Sequence, residues 1–181
     1  IYLLDPETAS SQMLTDGISR NGGPLWSNSG DQIAFQSTKR NGSSNDIWIM
    51  PIDAPEKSEL ILESLDGSWW GAADWTEDDD KVLVQNYISV ADSKVYMVDL
   101  KTKTRTLILG KKDTPSVNSA LAFDEKDKGI FFITNQYGEF NQLAYFDFET
   151  SEVTVISKEI LWDVDGFSIS DDSKKAAFIV N

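Results

Sequence analysis

Leu25-Trp26-Ser27-Asn28-Ser29-Gly30-Asp31-Gln32-Ile33-Ala34-Phe35 reads as an apolar run, a tight polar turn and a second apolar run. The pattern recurs as Asp74-Trp75-Thr76-Glu77-Asp78-Asp79-Asp80-Lys81-Val82-Leu83-Val84 and as Ala122-Phe123-Asp124-Glu125-Lys126-Asp127-Lys128-Gly129-Ile130-Phe131-Phe132. A fourth copy is Ser168-Ile169-Ser170-Asp171-Asp172-Ser173-Lys174-Lys175-Ala176-Ala177-Phe178. From Trp26 to Trp75, Phe123 and Ile169 the steps are 49, 48 and 46 residues. The Asn, Asp, Ser and Gly between the runs cap their own backbone or take positive φ, as a hairpin turn requires.

A second motif keeps the same period. Ile1-Tyr2-Leu3-Leu4-Asp5 is echoed by Val95-Tyr96-Met97-Val98-Asp99 and Leu143-Ala144-Tyr145-Phe146-Asp147, while Ile47-Trp48-Ile49-Met50 is followed by Pro51 instead of Asp. A third element follows each time: Gln12 to Thr15, Glu59 to Leu62, Thr106 to Leu109 and Val153 to Ile156. Each period therefore holds four short β-type runs, a, b, c and d. Polar turns such as Pro6-Glu7-Thr8-Ala9, Lys101-Thr102-Lys103-Thr104 and Glu149-Thr150-Ser151-Glu152 join c to d. Residues 54–65 could be read as a helix; their register in the repeat makes them strand d.

Four antiparallel strands per period of 46–49 residues define an all-β chain, a β-propeller of about four blades. No segment is long enough for a crossover helix, which disfavours a parallel sheet. The b runs Ile33-Ala34-Phe35, Val82-Leu83-Val84, Ile130-Phe131-Phe132-Ile133 and Ala176-Ala177-Phe178-Ile179 are apolar on both faces. Stacked blades cover both faces of a sheet, whereas a two-sheet sandwich leaves one face to water. The chain starts in strand c and ends after strand b. The expected organisation is blades at 18–66, 67–113 and 114–159, with half blades at 1–17 and 160–181. It looks cut from a longer chain, and its end strands expose backbone edges unless something pairs with them. Ring closure, exchange of halves between two chains in a homodimer, or continuation into a longer protein would each supply the pairing.

The 181 residues include 30 acidic against 16 basic ones, no His and no Cys. Without His there is no Ser-His-Asp triad and no His-ligated metal, and without Cys no disulfide or Cys-zinc site. A net charge of −14 opposes nucleic-acid binding and polybasic membrane contact. No apolar run approaches the length of a membrane-spanning helix. Composition indicates no cofactor and no metal, and leaves the compartment unread.

The Pro24 to Phe35 segment resembles the P-x-W-S-P-D-G-x-x-I-A-F repeat of TolB-like propellers. With Lys39 to Trp48, Ser68-Trp69-Trp70, Asp74-Trp75-Thr76 and Trp162-Asp163-Val164-Asp165-Gly166-Phe167-Ser168-Ile169-Ser170, the chain resembles the amino-terminal propeller of prolyl oligopeptidase-family serine peptidases, in the acylaminoacyl- and dipeptidyl-peptidase-like branch. Asn28-Ser29-Gly30 stands for Pro-Asp-Gly, and the turns at 77–79 and 125–127 lack the Gly. The resemblance implies a propeller that gates or binds peptide for an α/β-hydrolase domain. That domain carries the triad and is absent from these residues: Gly166-Phe167-Ser168-Ile169-Ser170 has Ser where a nucleophile elbow needs its second Gly.

In such a blade the a–b and c–d turns lie at one end of the strands and the b–c and d–a connections at the other. The turn end collects Asp31, Asp78, Asp79, Asp80, Asp124, Glu125, Asp127, Asp171 and Asp172. These suit calcium by ligand type but not by spacing, and also fit solvated turns. The acids show no defined spacing for glycoside cleavage. The connection end holds Lys39, Arg40, Trp69, Trp70, Tyr87, Tyr137, Phe140 and Trp162, residue types that anchor interfaces. Trp69 or Trp70 either binds or packs between blades, and Arg40 with Lys39 either grips a carboxylate or sits in a solvated loop. Trp26 and Trp75 are expected in the core. The expected function is a non-catalytic propeller partnered by a peptide substrate or a hydrolase domain. The alternatives are a free-standing TolB-like interaction module and a propeller lyase, the latter opposed by the lack of His.

Overall fold

A computed structural model describes residues 1–111, 113–170 and 173–181. The chain divides into two compact units, Ile1–Ala72 and Ala73–Asn181. The first unit opens with a two-stranded sheet of β1 (Tyr2–Leu4) and β2 (Ser11–Met13). A four-stranded meander follows: β3 (Asn21–Trp26), β4 (Gln32–Ser37), β5 (Asp46–Pro51) and β6 (Glu59–Leu62). The next meander is β7 (Trp69–Trp75), β8 (Lys81–Ser89), β9 (Asp92–Asp99) and β10 (Arg105–Leu109). The second unit adds β11 (Asn118–Phe123), β12 (Gly129–Thr134), β13 (Gln142–Asp147) and β14 (Val153–Val155), then a two-stranded sheet of β15 (Val164–Ile169) and β16 (Ala176–Val180). Every pair with a resolved register is antiparallel. These are three blades and two half-blades of a β-propeller.

The turn chemistry explains the repetition. The fifth residue of each a–b turn, counting from the aromatic or Ile that ends strand a, has positive φ: Gly30 at 74°, Asp79 at 55°, Asp127 at 52° and Ser173 at 51°. Glycine takes this conformation without steric cost, and a short polar side chain tolerates it. The turns lacking Gly therefore keep the same geometry. Asp171 and Asp172 of the fourth turn lie outside the described residues. The c–d turns repeat likewise, with Ala9, Lys103 and Ser151 at φ of 54°, 57° and 58°. In each, a leading aspartate accepts amide hydrogen bonds from the turn: Asp5 from Glu7 and Thr8, Asp99 from Thr102, and Asp147 from Glu149 and Thr150. Where Pro51 replaces that aspartate, the chain makes a short 3₁₀ helix, Pro55–Lys57, before β6. Residues 54–65 thus combine one helical turn with strand d.

The cores lie between sheets inside each unit. In the first, Ile1 and Leu3 of the half-blade pack on Leu14, Ile33, Phe35, Met50 and Trp48. In the second, Leu83, Val95 and Leu109 cluster with Phe123, Ile130, Phe132 and Ala144. Phe131 meets Phe167 of the last half-blade with ring centroids 5.5 Å apart. The b strands β4 and β12 and the first six residues of β8 are buried or nearly so, which agrees with cover on both faces, whereas β16 is mostly exposed because its two-stranded sheet leaves its second edge and much of its surface uncovered.

Two expected core residues differ. Trp75 is 3% exposed, but Trp26 is 49% exposed. The reason lies in the preceding sheet. Phe123, at the same repeat position, packs in a cluster with Leu83 from strand b and Met97 from strand c of the blade before it. The sheet before Trp26 has only strands c and d, so no counterpart of Leu83 covers the indole.

A candidate binding surface at the connecting loops

The candidate residues belong to loops that join b to c and d to a. In the first unit, Arg40 is held by its own loop. Its Nε donates to Asp46 Oδ2 at 2.8 Å and its Nη2 to Asp46 Oδ1 at 3.0 Å, with Glu63 3.8 Å away. Asp46 is fully buried and also accepts the Ser64 amide at 2.8 Å. The hydrogen bond to Asp46 is the main cause of an upward shift in the Arg40 pKa. Arg40 thus fastens the b–c loop to the d–a connection, and its bidentate fork is already occupied. Lys39 Nζ stands 5.2 Å from the centroid of the Trp48 ring, a cation–π arrangement.

The two adjacent tryptophans separate because successive strand residues point to opposite faces. Trp70 is 4% exposed, and its carbonyl accepts from Asn45 Nδ2 at 3.0 Å. Trp69 is half exposed and lies over Gly71, where a Cβ would strike its ring and also meet Gln36. The shallow glycine surface lets the indole lie flat at the start of β7.

In the second unit the loops are more apolar. Tyr87 sits near the end of β8 and is 44% exposed. The hairpin tip beyond it presents Ile88 and Val90, and Val90 is 86% exposed. Tyr137 is half exposed and Phe140 partly buried in the b–c loop between β12 and β13. Leu161 and Trp162, in the connection from β14 to β15, are 70% and 63% exposed. The sheet order places all of these at the same ends of their strands. Sequence reading missed Ile88, Val90 and Leu161; an apolar tip at Ile88-Ser89-Val90-Ala91, with no Gly or Pro, was the available signal.

Beneath these loops runs a buried polar network. Asn118 Nδ2 donates to Ser93 O (3.1 Å), Ser116 O (3.2 Å) and Ser116 Oγ (2.9 Å). Its Oδ1 accepts from Thr134 Oγ1 at 3.1 Å. Gln85 donates to Asn118 O and accepts the Ala120 amide, both at 2.8 Å. The β8–β9 hairpin, which carries Tyr87, is thereby fixed to β11.

The acids at the turn ends are hydrogen-bond acceptors within the turns. Asp124 accepts the Lys126 and Lys128 amides and the Tyr145 hydroxyl. Burial, then that contact with Asp124, pushes the Tyr145 pKa up. Asp127 accepts the Glu77 amide, and burial is the main reason its pKa is raised. The Asp80 amide is the main cause that lowers the Asp78 pKa. On the inner strand β7, Asp74 accepts the Phe123 amide at 2.7 Å and the Trp75 amide at 2.9 Å, while burial raises its pKa. Among the described residues, no three His, Cys, Asp or Glu side chains gather in a way that could hold a metal ion.

No protein-family model and no curated protein sequence matches the chain. Solved structures do. TolB from Acinetobacter baumannii superposes with a TM-score of 0.75 at 18% identity, over 98% of this chain and 42% of that protein. The fold is a β-propeller similar to that of TolB. The β-propeller domain of the Trilobed protease from Pyrococcus furiosus matches 99% of this chain and 68% of its own, with a TM-score of 0.57 and 16% identity. Prolyl oligopeptidase B from Galerina marginata, solved with a 35mer hydrolysis and macrocyclization substrate, matches over 84% of this chain and 23% of its own. There the TM-score is 0.67 and the identity 9%. The chain thus spans under half the length of the Acinetobacter protein. For the Trilobed protease, the likeness lies in that protein's β-propeller domain.

Proposed function

We propose that this chain is a non-catalytic propeller section that binds extended peptide segments at its connecting loops. In a prolyl oligopeptidase-like parent it would gate or guide peptide to a hydrolase domain. The observation that carries this reading is the gathering of Tyr87, Ile88, Val90, Tyr137, Leu161 and Trp162 at one end of the second unit's strands. Partly exposed aromatic and aliphatic side chains on a rigid sheet anchor peptides at small entropic cost. The chain contains no His, so a His-based hydrolytic centre cannot be assembled from it. The test pairs two measurements on the purified chain. A panel of apolar and aromatic peptides should change Trp fluorescence saturably, and Trp162→Ala should weaken that response. Chromogenic aminoacyl and dipeptidyl substrates should not turn over. Turnover, or peptide binding untouched by Trp162→Ala, overturns the reading.

A second reading, a free-standing TolB-like interaction module, is favoured by the higher TM-score with Acinetobacter TolB. A parent reading frame with G-x-S-x-G and a later His supports the peptidase; a parent without them supports the module.

A further inference from the structure

The blade β11–β14 carries aromatic rings where the other two whole blades carry aliphatic side chains. Phe146 faces Ile130 across strands b and c, as Met50 faces Ile33 and Val98 faces Val82. Met50 and Val98 are fully buried, whereas Phe146 keeps part of its surface. Just beyond it, the Phe148 amide donates to the Lys128 carbonyl, as the Ile52 and Leu100 amides donate to the Asp31 and Asp80 carbonyls. Phe148 is therefore the counterpart of Ile52 and Leu100, and it too is partly exposed. Both rings line a cleft of about 540 Å³ between the blades β7–β10 and β11–β14, inside the second unit and at the turn end of the strands. Small-molecule sites occupy about 300–1,000 Å³. Phe146 and Phe148 meet edge-on with centroids 5.9 Å apart, and Phe123 stands 6.3 Å from Phe148. Half-exposed Leu107 adds an aliphatic wall from the other blade.

The charged groups of the cleft are unequal. Among the described lining residues, the carboxylates Asp78 and Asp127 stand with one ammonium, Lys81, and Lys81 also faces Asp99 across its strand pair. Burial raises the Asp127 pKa first, and the charges of Asp78, Glu77 and Asp124 add to it against the Glu77 amide. An aromatic cleft with a negative mouth selects for a positive, apolar guest. We propose that this cleft binds a small organic cation with a quaternary nitrogen, its alkyl groups against Phe146 and Phe148 and its charge toward Asp78 and Asp127. Ring faces attract such cations. A quaternary nitrogen has no N–H to leave unpaired among apolar walls, whereas a primary ammonium is strongly hydrated and would. The net charge of −14 raises the local concentration of any cation. The cleft lies at the opposite end of the strands from the peptide-binding loops, so it stands independently of that reading.

Choline, titrated into the isotope-labelled chain and followed by NMR, should move the Glu77 and Phe148 amide signals saturably. Its uncharged carbon isostere, dimethylbutanol, should bind about 10-fold more weakly. Phe148→Leu puts at this position the residue type that Leu100 supplies in the neighbouring blade, so the chain stays folded by circular dichroism while the ring is lost. It should weaken choline about 10-fold. In the unaltered chain choline affinity should fall as pH drops through the raised Asp127 pKa, because protonation removes the charge. In Asp127→Asn that fall should shrink. Absence of saturable shifts, dimethylbutanol binding as tightly as choline, or choline binding unchanged by Phe148→Leu overturns the proposal. So does a peptide bearing trimethyllysine that binds this cleft when choline does not.

Discussion

Asn118 is where the fold can be tested most sharply. It is 1% exposed and joins three partners, Ser93, Ser116 and Thr134, from two neighbouring blades. Asn118→Ala removes all three links. Each is worth about 1 kcal/mol net, so the expected loss is about 3 kcal/mol. For a chain of this size that lowers the melting temperature by about 6–12 °C. Asn118→Asp keeps the shape but turns the donating nitrogen into an oxygen facing the Ser93 and Ser116 carbonyls. It should cost more than the alanine at pH 7 and less at pH 4, where a protonated carboxyl can still donate one hydrogen bond. Urea unfolding followed by Trp fluorescence and circular dichroism at both pH values measures the two variants. An alanine penalty under about 1 kcal/mol, or an aspartate tolerated equally at both pH values, would refute the network's role.

The remaining predictions concern the loops and the acids. Trp162→Ala should weaken apolar peptide binding about 30-fold, the size of a hot-spot loss, without changing the melting temperature. Asp46→Ala should cost about 1–3 kcal/mol by leaving the Ser64 amide unpaired, and protease cleavage should then appear in the Lys39–Asn45 loop. Asp16 is held at about 2, chiefly by the Ser19 hydroxyl and then by the Ser19 and Ile18 amides. Its contribution is therefore complete above the ordinary carboxylate range and is lost as pH falls through about 2. The stability difference between the unaltered chain and Asp16→Asn should be present at pH 6 and vanish near pH 2, as read by urea midpoints. Asp74 has the opposite sign: its raised pKa means that stability is lost as pH rises through its folded value.

Much of the fold was legible because it rests on local chemistry repeated four times. The aspartates that open the c–d turns, and the positive-φ residue that closes each a–b turn, act over four or five residues. Composition announces two-sided burial correctly for the b strands β4, β8 and β12, but not for β16, whose equally apolar residues are mostly exposed. Long-range partners were not legible. Nothing in the sequence couples Arg40 to Asp46 and Ser64, or Asn118 to Ser93, until the strands are paired. Trp26 carries the same motif as Trp75; its exposure depends on the strand missing from the sheet before it. At the connecting loops, Tyr87, Tyr137 and Trp162 are exposed where the repeat placed them, whereas Arg40 and Trp70 are engaged within the fold.

Gln85 has a consequence for how the molecule comes apart. Its amide binds one carbonyl and one amide of β11, so a single side chain on one blade imitates a segment of strand for the next. Blades that touched only through apolar side chains could melt singly, as loosely coupled repeats do. A backbone-to-amide clasp raises the nearest-neighbour term between two repeats above what shape alone provides. Melting of the second unit is accordingly cooperative across that junction, and the domain behaves there as one unit of unfolding with two blades in it.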